Sequence, residues 1–162
     1  PPVVPAKISE WFDVLKDYET YVDEDAILVG HSLGGKFLLR VLEKLEHQVK
    51  AAVFVGTPIG ISPIANNKRD SAFTDNTFDW DKIKRNAGHV IVYQSDDDPY
   101  VGLGNGQELA KHLGVELTFI PNAVHFNTKA GYTTFKDLRD KIVGILDASG
   151  KGDVKQISNS FE

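Results

Sequence analysis

The hexapeptide GHSLGG at residues 30–35 constrains the fold of this chain more than any other stretch. It follows a short apolar run, residues 26–29, and precedes a helical pattern that starts near Lys36. A G-x-S-x-G pattern between a strand and a helix predicts a nucleophile elbow, in which the serine occupies a sharp and strained turn. Flanking glycines let the strand and the helix approach closely. We therefore predict Ser32 as a nucleophile and the N–H of Leu33, at the helix N-terminus, as an oxyanion donor.

Two later loops carry the other groups that a serine nucleophile needs, a base and an acid. The segment SDDDPYV, residues 95–101, follows a strand-like run, and so does the segment PNAVHFN, residues 121–127. Ligand sites of open α/β sheets lie at the carboxyl ends of the strands, so we expect both loops to lie beside Ser32. The chain order of serine, acid and histidine is the order found in α/β-hydrolases.

The base in this prediction is His125. Of the five histidines, His125 alone lies in a loop after a strand and downstream of an acidic segment. His31 lies inside the elbow, where we expect its ring to shape the site. His47 and His112 fall near helix ends, where a surface histidine is the plain interpretation, and His89 begins a strand.

Chemistry alone does not decide which residue is the acid, because Asp96, Asp97 and Asp98 are consecutive. Asp98 precedes Pro99 and therefore also fits a purely structural turn. Three adjacent carboxylates raise the question of a metal site, which we disfavour because consecutive side chains diverge. Neither a metal nor a cofactor is expected.

The rest of the chain alternates between apolar runs and helical patterns. The predicted strands are 26–30, 49–55, 89–94 and 115–120, and the predicted helices are 5–22, one from near residue 36, 81–87, 105–113 and 133–147. Continuous apolar strands indicate a parallel sheet that is buried on both faces. We predict a three-layer α/β fold with a mainly parallel sheet, in a single domain over 1–148 with a flexible tail at 149–162.

A long irregular segment, residues 56–81, separates the second strand from the next helix. Segments of this length often have a function, and this one follows a strand end, so we predict a cap over the site. Its aromatic residues Phe73, Phe78 and Trp80, together with Phe126, are candidate pocket residues. Packing of these rings against the body of the protein is an equally good interpretation.

Composition narrows the class of partner. The net charge of −5 argues against a nucleic-acid surface or a basic membrane patch. The hydrophobic fraction of 41% is normal for a globular protein. The apolar runs are too short to span a bilayer. There is no cysteine, so disulfides are excluded and a cytoplasmic location is expected. Residue 1 is proline and the chain has no methionine, which suggests processing or a longer parent chain.

These motifs give the chain a family resemblance. The elbow, the segment 95–101 and the tripeptide HFN at 125–127 resemble the small serine hydrolases related to retinoblastoma-binding protein nine, an α/β-hydrolase family. The segment WDKIK, residues 80–84, is similar to the helix that precedes the acid strand in that family. The resemblance implies the triad Ser32, Asp98 and His125, a compact fold with little lid, and esterase-like activity.

The chain departs from the family pattern at its start. Family members open with a strand and a glycine-rich loop upstream of the helix at 5–22, and that loop supplies a second oxyanion donor. We expect either a missing N-terminal segment or a partner chain to complete the sheet, because the strand 26–30 is otherwise an exposed apolar edge.

The leading functional prediction is hydrolysis of a small acyl substrate, namely an ester, a thioester or a small amide. An acyltransferase with the same triad stays open. A non-catalytic binding or interaction module on a hydrolase scaffold is the alternative. A nucleotide-binding domain fits poorly, since residues 30–35 match neither G-x-G-x-x-G nor the P-loop pattern.

Overall fold

The structure is a computed structural model that describes residues 7–61 and 75–148, and the chain divides into two compact units, 1–132 and 133–162. The first unit holds α1 (Ile8–Lys16), β1 (Ile27–His31), α2 (Leu33–Lys44), β2 (Ala51–Val55), α3 (Trp80–Asn86), β3 (His89–Gln94), α4 (Leu103–Leu113) and β4 (Leu117–Phe119), with short 3-10 helices at Glu19–Tyr21 and Thr128–Ala130. The second unit holds α5 (Lys136–Ala148).

A parallel sheet in the order β1-β2-β3-β4 forms the centre of the first unit. Its register places Gly30 beside Phe54, Phe54 beside Val92, and Val92 beside Leu117. All five residues of β2 are buried, whereas β1 and β4 at the two edges are largely half-buried or exposed. The parallel sheet predicted from continuous apolar runs is therefore confirmed, and burial on both faces holds for its inner strands.

The hydrophobic core lies between this sheet and the three connecting helices. Helix α2 packs against β1 and β2, α4 packs against β3 and β4, and α3 contacts both α2 and α4. Leu39 and Leu42 from α2, Phe54 from β2, Ile83 from α3 and Leu109 from α4 are all 0% exposed. The buried apolar residues of α2 thus face the core from one side of the helix, as a helical period requires.

The first helix is shorter than predicted. Instead of one helix over 5–22, α1 ends at Lys16 and a 3-10 turn at Glu19–Tyr21 follows. The N–H groups of Asp17 and Tyr18 donate to the carbonyls three residues back, at Val14 and Leu15, which ends the α-helical pattern, and the Tyr18 and Tyr21 rings beyond it are exposed. Within α1, Trp11 and Phe12 both pack edge-on against Phe37 of α2, with ring centroids 5.3 and 4.8 Å apart.

Several predicted boundaries shift because backbone groups find partners outside the sheet. Val49 donates to the carbonyl of Asn86 and Lys50 donates to that of Ala26, so β2 begins at Ala51 rather than Val49. Strand β4 is likewise shorter than 115–120, since the Val115 N–H closes the end of α4 on Ala110.

Two helices also begin elsewhere than predicted. Helix α2 begins at Leu33, three residues before Lys36, because the turn at Ser32 leads directly into it. Helix α5 begins at Lys136 rather than at residue 133.

The predicted cap segment is described at its two ends, 56–61 and 75–81. The buried Asn105 side chain accepts from the N–H groups of Ile59 and Ile61 and donates to the carbonyl of Ile61, with distances of 2.7–3.1 Å. Lys36 donates to Asn76 Oδ1 at 2.5 Å. Both ends are therefore bonded to the helices beneath them, while Phe73 and the predicted tail at 149–162 lie outside the described residues.

None of the helices in the described part of the chain combines the length and the apolar character needed to cross a membrane.

Candidate active site

Ser32 is the single residue between the end of β1 and the start of α2. Its backbone has φ 54° and ψ −123°, a combination that non-glycine residues seldom adopt. The turn is held by the Ser32 N–H, which donates to the carbonyl of Val55 at 2.8 Å, and by the Ser32 carbonyl, which accepts from Gly35 at 3.0 Å. Backbone strain that is fixed by its surroundings is typical of functional sites. The elbow geometry predicted from the sequence is present.

Glycine is required at two positions around this turn. A Cβ on Gly30 would lie 2.5 Å from the Cα of Gly35, and a Cβ on Gly35 would lie 1.9 Å from Thr57 Oγ1. Gly34, the second glycine of the G-x-S-x-G pattern, has open space around its Cβ position instead. The close approach of strand and helix thus depends on Gly30 and Gly35.

The first backbone N–H of α2 belongs to Leu33. An amide in the first turn of a helix has no intrahelical acceptor, so this group is available to a ligand. It also lies at the positive end of the helix dipole, which favours a negatively charged oxygen. The position matches the oxyanion donor predicted from the sequence.

Asp98 is placed by its own turn. Its side chain is 0% exposed, and its Oδ1 accepts from the N–H groups of Tyr100 and Val101 at 2.8 and 3.0 Å. Its other oxygen, Oδ2, lies 2.7 Å from Nδ1 of His125. Of the three consecutive aspartates, Asp98 is the one that contacts the predicted base.

His125 is almost completely enclosed, with 9% of its side chain exposed. Because a carboxylate accepts hydrogen bonds, Nδ1 carries the proton toward Asp98, and Nε2 is the nitrogen left for proton transfer. The Tyr100 ring packs edge-on against the imidazole, with centroids 5.0 Å apart. A histidine and an aspartate that are 27 residues apart in the chain thus form one buried pair.

His31 joins the elbow to the loop that carries His125, residues 121–127, called the histidine loop below. Its Nε2–H donates to the backbone carbonyl of His125 at 2.8 Å, and the two imidazole rings lie 4.6 Å apart. Much of the His31 side chain is exposed, yet partial burial of the ring is the main cause that lowers the pKa of His31. His31 therefore favours the neutral form and contacts the loop that carries the base.

Ser32, the predicted nucleophile, lies near the pair formed by His125 and Asp98. Gly56 follows Val55, the residue paired with His31 in the sheet, and adopts φ 53°. A Cβ on Gly56 would lie 3.3 Å from Asp98 Oδ2 and 3.4 Å from His125 Nδ1. The histidine–aspartate pair therefore occupies the space directly beyond β2, beside the elbow. The hydrogen bonds of residues 7–61 and 75–148 include none between the Ser32 hydroxyl and His125, and such bonds often form only in the complex with substrate.

Three of the predicted pocket aromatics, Phe78, Trp80 and Phe126, pack into the body of the protein. Phe78 lies 4.9 Å from Trp80 and beneath the Arg40 guanidinium, and Trp80 stacks on His112 with a centroid distance of 4.2 Å. Phe126 is 7% exposed. These contacts correspond to the packing interpretation, and contact of these rings with a substrate stays a prediction.

Sequence reasoning did not assign a role to the neighbours of the acid. Ser95, Asp96 and Asp97 each bond to the histidine loop through a side chain. Asp96 and Asp97 accept from backbone N–H groups of that loop, a role that the run of three aspartates does not indicate. Sequence reasoning also missed Thr57, whose buried hydroxyl lies against Gly35. This hydroxyl has no hydrogen-bond partner among the described residues, and no local sequence motif indicates it.

Comparison with protein families gives one match that spans most of the chain. The family described as serine hydrolase matches residues 2–142. This range includes the elbow, the acid loop (residues 95–101) and the histidine loop (residues 121–127).

Individual relatives agree with the family match. The chain is 32% identical over 127 residues to the serine hydrolase RBBP9 of Rattus norvegicus, which covers 78% of this chain and 66% of that protein. It is 28% identical over 134 residues to the putative hydrolase YdeN of Bacillus subtilis, covering 83% of this chain and 70% of the relative. The chain thus spans about two thirds of the length of these curated relatives.

The fold agrees as well. The crystal structure of the ydeN gene product from B. subtilis superposes with a TM-score of 0.76 and 26% identity, covering 89% of this chain and 77% of that one. A serine hydrolase involved in carbazole degradation superposes with a TM-score of 0.62 at 16% identity, which bears on the fold alone. The resemblance and the α/β-hydrolase fold predicted from the sequence motifs are confirmed.

Proposed function

This chain belongs to the serine hydrolase family, and from that premise we propose that it hydrolyses a small acyl substrate through Ser32, His125 and Asp98. The observation that carries the proposal is the buried hydrogen bond of 2.7 Å between His125 and Asp98, next to the strained turn at Ser32. A serine hydroxyl is a weak nucleophile unless a positioned base removes its proton. In this proposal His125 is that base, and Asp98 is the acid that orients it.

In the proposed reaction, Ser32 Oγ attacks the carbonyl carbon of an ester, a thioester or a small amide while His125 Nε2 takes the hydroxyl proton. Asp98 holds the imidazole in the required tautomer and stabilises the imidazolium. The N–H of Leu33 donates to the oxyanion of the tetrahedral intermediate.

The intermediate then collapses and the bond to the leaving group breaks, with the proton passing from Nε2 to the departing atom. Water repeats these steps on the acyl-enzyme, which releases the acid and restores Ser32. An acceptor other than water would make the same acyl-enzyme an acyltransferase intermediate.

A fluorophosphonate probe with mass mapping of the labelled peptide tests this proposal. We expect the full chain to be labelled at Ser32, and we expect Ser32→Ala to lose both labelling and turnover of an activated ester. Ser9→Ala removes an exposed serine from α1 and should change neither.

The opposite result would favour the binding module that is the alternative function. That outcome consists of no labelling of the folded wild-type chain, together with the same ester turnover in Ser32→Ala as in wild type. If Ser32 is labelled instead, turnover of esters with several acyl chain lengths distinguishes the substrates. The cytoplasmic location and the esterase-like preference expected from the sequence stay predictions.

A further inference from the structure

The loop that carries His125 has an unusual backbone. Asn122, Val124 and Phe126 have φ values of 55°, 50° and 50°, so every second residue of this segment adopts a left-handed conformation without being glycine. For Val124 this is especially unfavourable, because its branched Cβ crowds the following carbonyl. Such a backbone persists only where the surroundings fix it.

The acid loop provides those surroundings, residue by residue. Asn122 N–H donates to Asp96 Oδ1 at 2.9 Å, Ala123 N–H donates to Ser95 Oγ at 3.0 Å, and Val124 N–H donates to Asp97 Oδ1 at 2.8 Å. The next residue, His125, bonds to Asp98 through its side chain. Four consecutive residues of one loop are therefore held by four consecutive residues of the other.

Asp97 is central to this arrangement. Its Oδ1 accepts from the Val124 N–H and also from the Ser95 hydroxyl at 2.6 Å, while the same hydroxyl accepts from Ala123. The Ser95 hydrogen bond is the main cause that lowers the pKa of Asp97, so the carboxylate is charged and its bonds are of the stronger, charge-assisted kind.

Val124 directly precedes His125, so its backbone angles set the direction in which the imidazole leaves the chain. We propose that Asp97, together with Ser95, is a positioning residue that holds Val124 in its left-handed conformation and thereby aims His125 for catalysis. Asp97 does not touch the reacting atoms, and its side chain is exposed. The inference rests on the proposed function, because an orientation of His125 matters only if His125 is the base.

Steady-state kinetics on Asp97→Ala and Asp97→Asn test the proposal. Asparagine keeps an acceptor oxygen where alanine has none, so Asp97→Asn should retain at least a third of the wild-type kcat. Asp97→Ala should lose about 10- to 100-fold in kcat, the effect expected of a misplacement by about 1 Å, with KM changed less than threefold. Asp17→Ala, at an exposed aspartate of the same chain, is the matched control and should behave as wild type.

A spectroscopic readout separates positioning from loss of stability. The downfield proton NMR signal of the Nδ1–H that His125 shares with Asp98 should broaden or vanish in folded Asp97→Ala and persist in Asp97→Asn and Asp17→Ala. If Asp97→Ala does not fold, Asp97→Ser takes its place, since serine is too short to reach the Val124 N–H, and the same losses are expected.

The proposal is overturned if folded Asp97→Ala, or its serine substitute, keeps kcat within twofold of wild type and retains the Nδ1–H signal. Failure of the proposed function gives a different result, because the wild-type chain itself would then show neither labelling of Ser32 nor ester turnover. A wild-type chain that is labelled while Asp97→Ala is labelled equally fast refutes the positioning role alone.

Discussion

At the scale of single residues, the elbow depends on the positions at which only glycine fits. The sequence pattern drew attention to the two glycines of G-x-S-x-G, Gly30 and Gly34. In the structure the crowded positions are Gly30 and Gly35, and Gly34 faces open space. The motif and the packing requirement therefore coincide at one glycine and differ at the other.

This difference gives a paired test of stability. Gly35→Ala places a methyl group 1.9 Å from Thr57 Oγ1 and should destabilise the fold by about 1–3 kcal/mol, the usual range for overpacking. Gly34→Ala in the same helix should stabilise it by up to about 1 kcal/mol, because alanine restricts the unfolded chain. Urea unfolding of both variants measures the two effects, and equal free energies of unfolding for the two would contradict the contact with Thr57.

His31 connects stability to pH at the same scale. Burial lowers the pKa of His31 from 6.5, so the unfolded chain binds a proton more readily than the folded chain. The contribution of this residue to stability is therefore present above about pH 6.5 and is lost as the pH falls below that value.

We expect the melting temperature of the wild-type chain to fall more steeply between about pH 7.5 and 5.5 than that of His31→Gln. Glutamine is uncharged throughout this range and retains a donor for the His125 carbonyl. At pH 8 His31 is neutral, so the difference in melting temperature between the two proteins there measures the cost of the substitution itself. That difference is subtracted at the lower pH values. Parallel melting curves for the two proteins over the whole range would refute the effect.

At the scale of elements, the loop after β2 is fixed by α4. The four side-chain hydrogen bonds of Asn105 join Ile59, Ile61 and Gly102 to the first turn of that helix, and Asn105 is 0% exposed. The first residue of the loop, Gly56, adjoins the histidine–aspartate pair. The side chain of Asn105 thus ties α4 to the loop that begins beside the histidine–aspartate pair.

Asn105→Ala should cost about 2–4 kcal/mol, because it leaves several buried backbone groups without partners. Gln107→Ala, at an exposed position of the same helix, should change the free energy of unfolding by less than about 0.5 kcal/mol. Denaturant unfolding monitored by circular dichroism gives both values. A loss below 1 kcal/mol for Asn105→Ala would show that water or a rearranged loop replaces its bonds.

The sequence predicted the elements well where a periodic apolar pattern ran through them. Strand β3 has its predicted bounds, and α2 buries the stripe that includes Leu38 and Leu42. The first helix was overestimated because the apolar period of its early turns gave no signal of where it stops. Helix ends depend on caps and on neighbouring surfaces, which are tertiary features.

The candidate site was predictable to a different degree. Ser32 and His125 follow from motif order and from their positions after strands. The choice of Asp98 among three aspartates came from family resemblance, and its buried contact with His125 depends on a turn involving Tyr100 and Val101. The bonds from Ser95, Asp96 and Asp97 join loops 26 to 28 residues apart, and no local pattern encodes them.

At the scale of the whole molecule, β1 is an edge strand of the sheet formed by the described residues. Val29 on this strand is 49% exposed, and an apolar cavity of about 260 Å³ lined by Trp11, Val14, Leu15, Tyr18, Val29, Gly34 and Phe37 adjoins it. Exposed apolar edges are usually covered in native proteins. We propose that a further strand, from the same polypeptide or from a partner chain, pairs with β1.

Hydrogen exchange tests this proposal. In the 162-residue chain alone, the outward-facing amides of β1 should exchange at least about tenfold faster than those of β2, which is bonded on both sides. Addition of a completing strand should slow exchange in β1 while leaving β2 unchanged. Slow exchange throughout β1 in the isolated chain would instead mean that its edge is already covered.

The matched bonding of the acid and histidine loops has a consequence for protein engineering. Residues 95–98 and 122–125 bond to each other as complementary segments, although they follow different strands, β3 and β4. Chimeras that exchange one of these segments between homologous enzymes, while keeping the other from the parent, should lose catalysis even though both donors are active. Recombination libraries built on this scaffold will retain function most often when the two segments are inherited together.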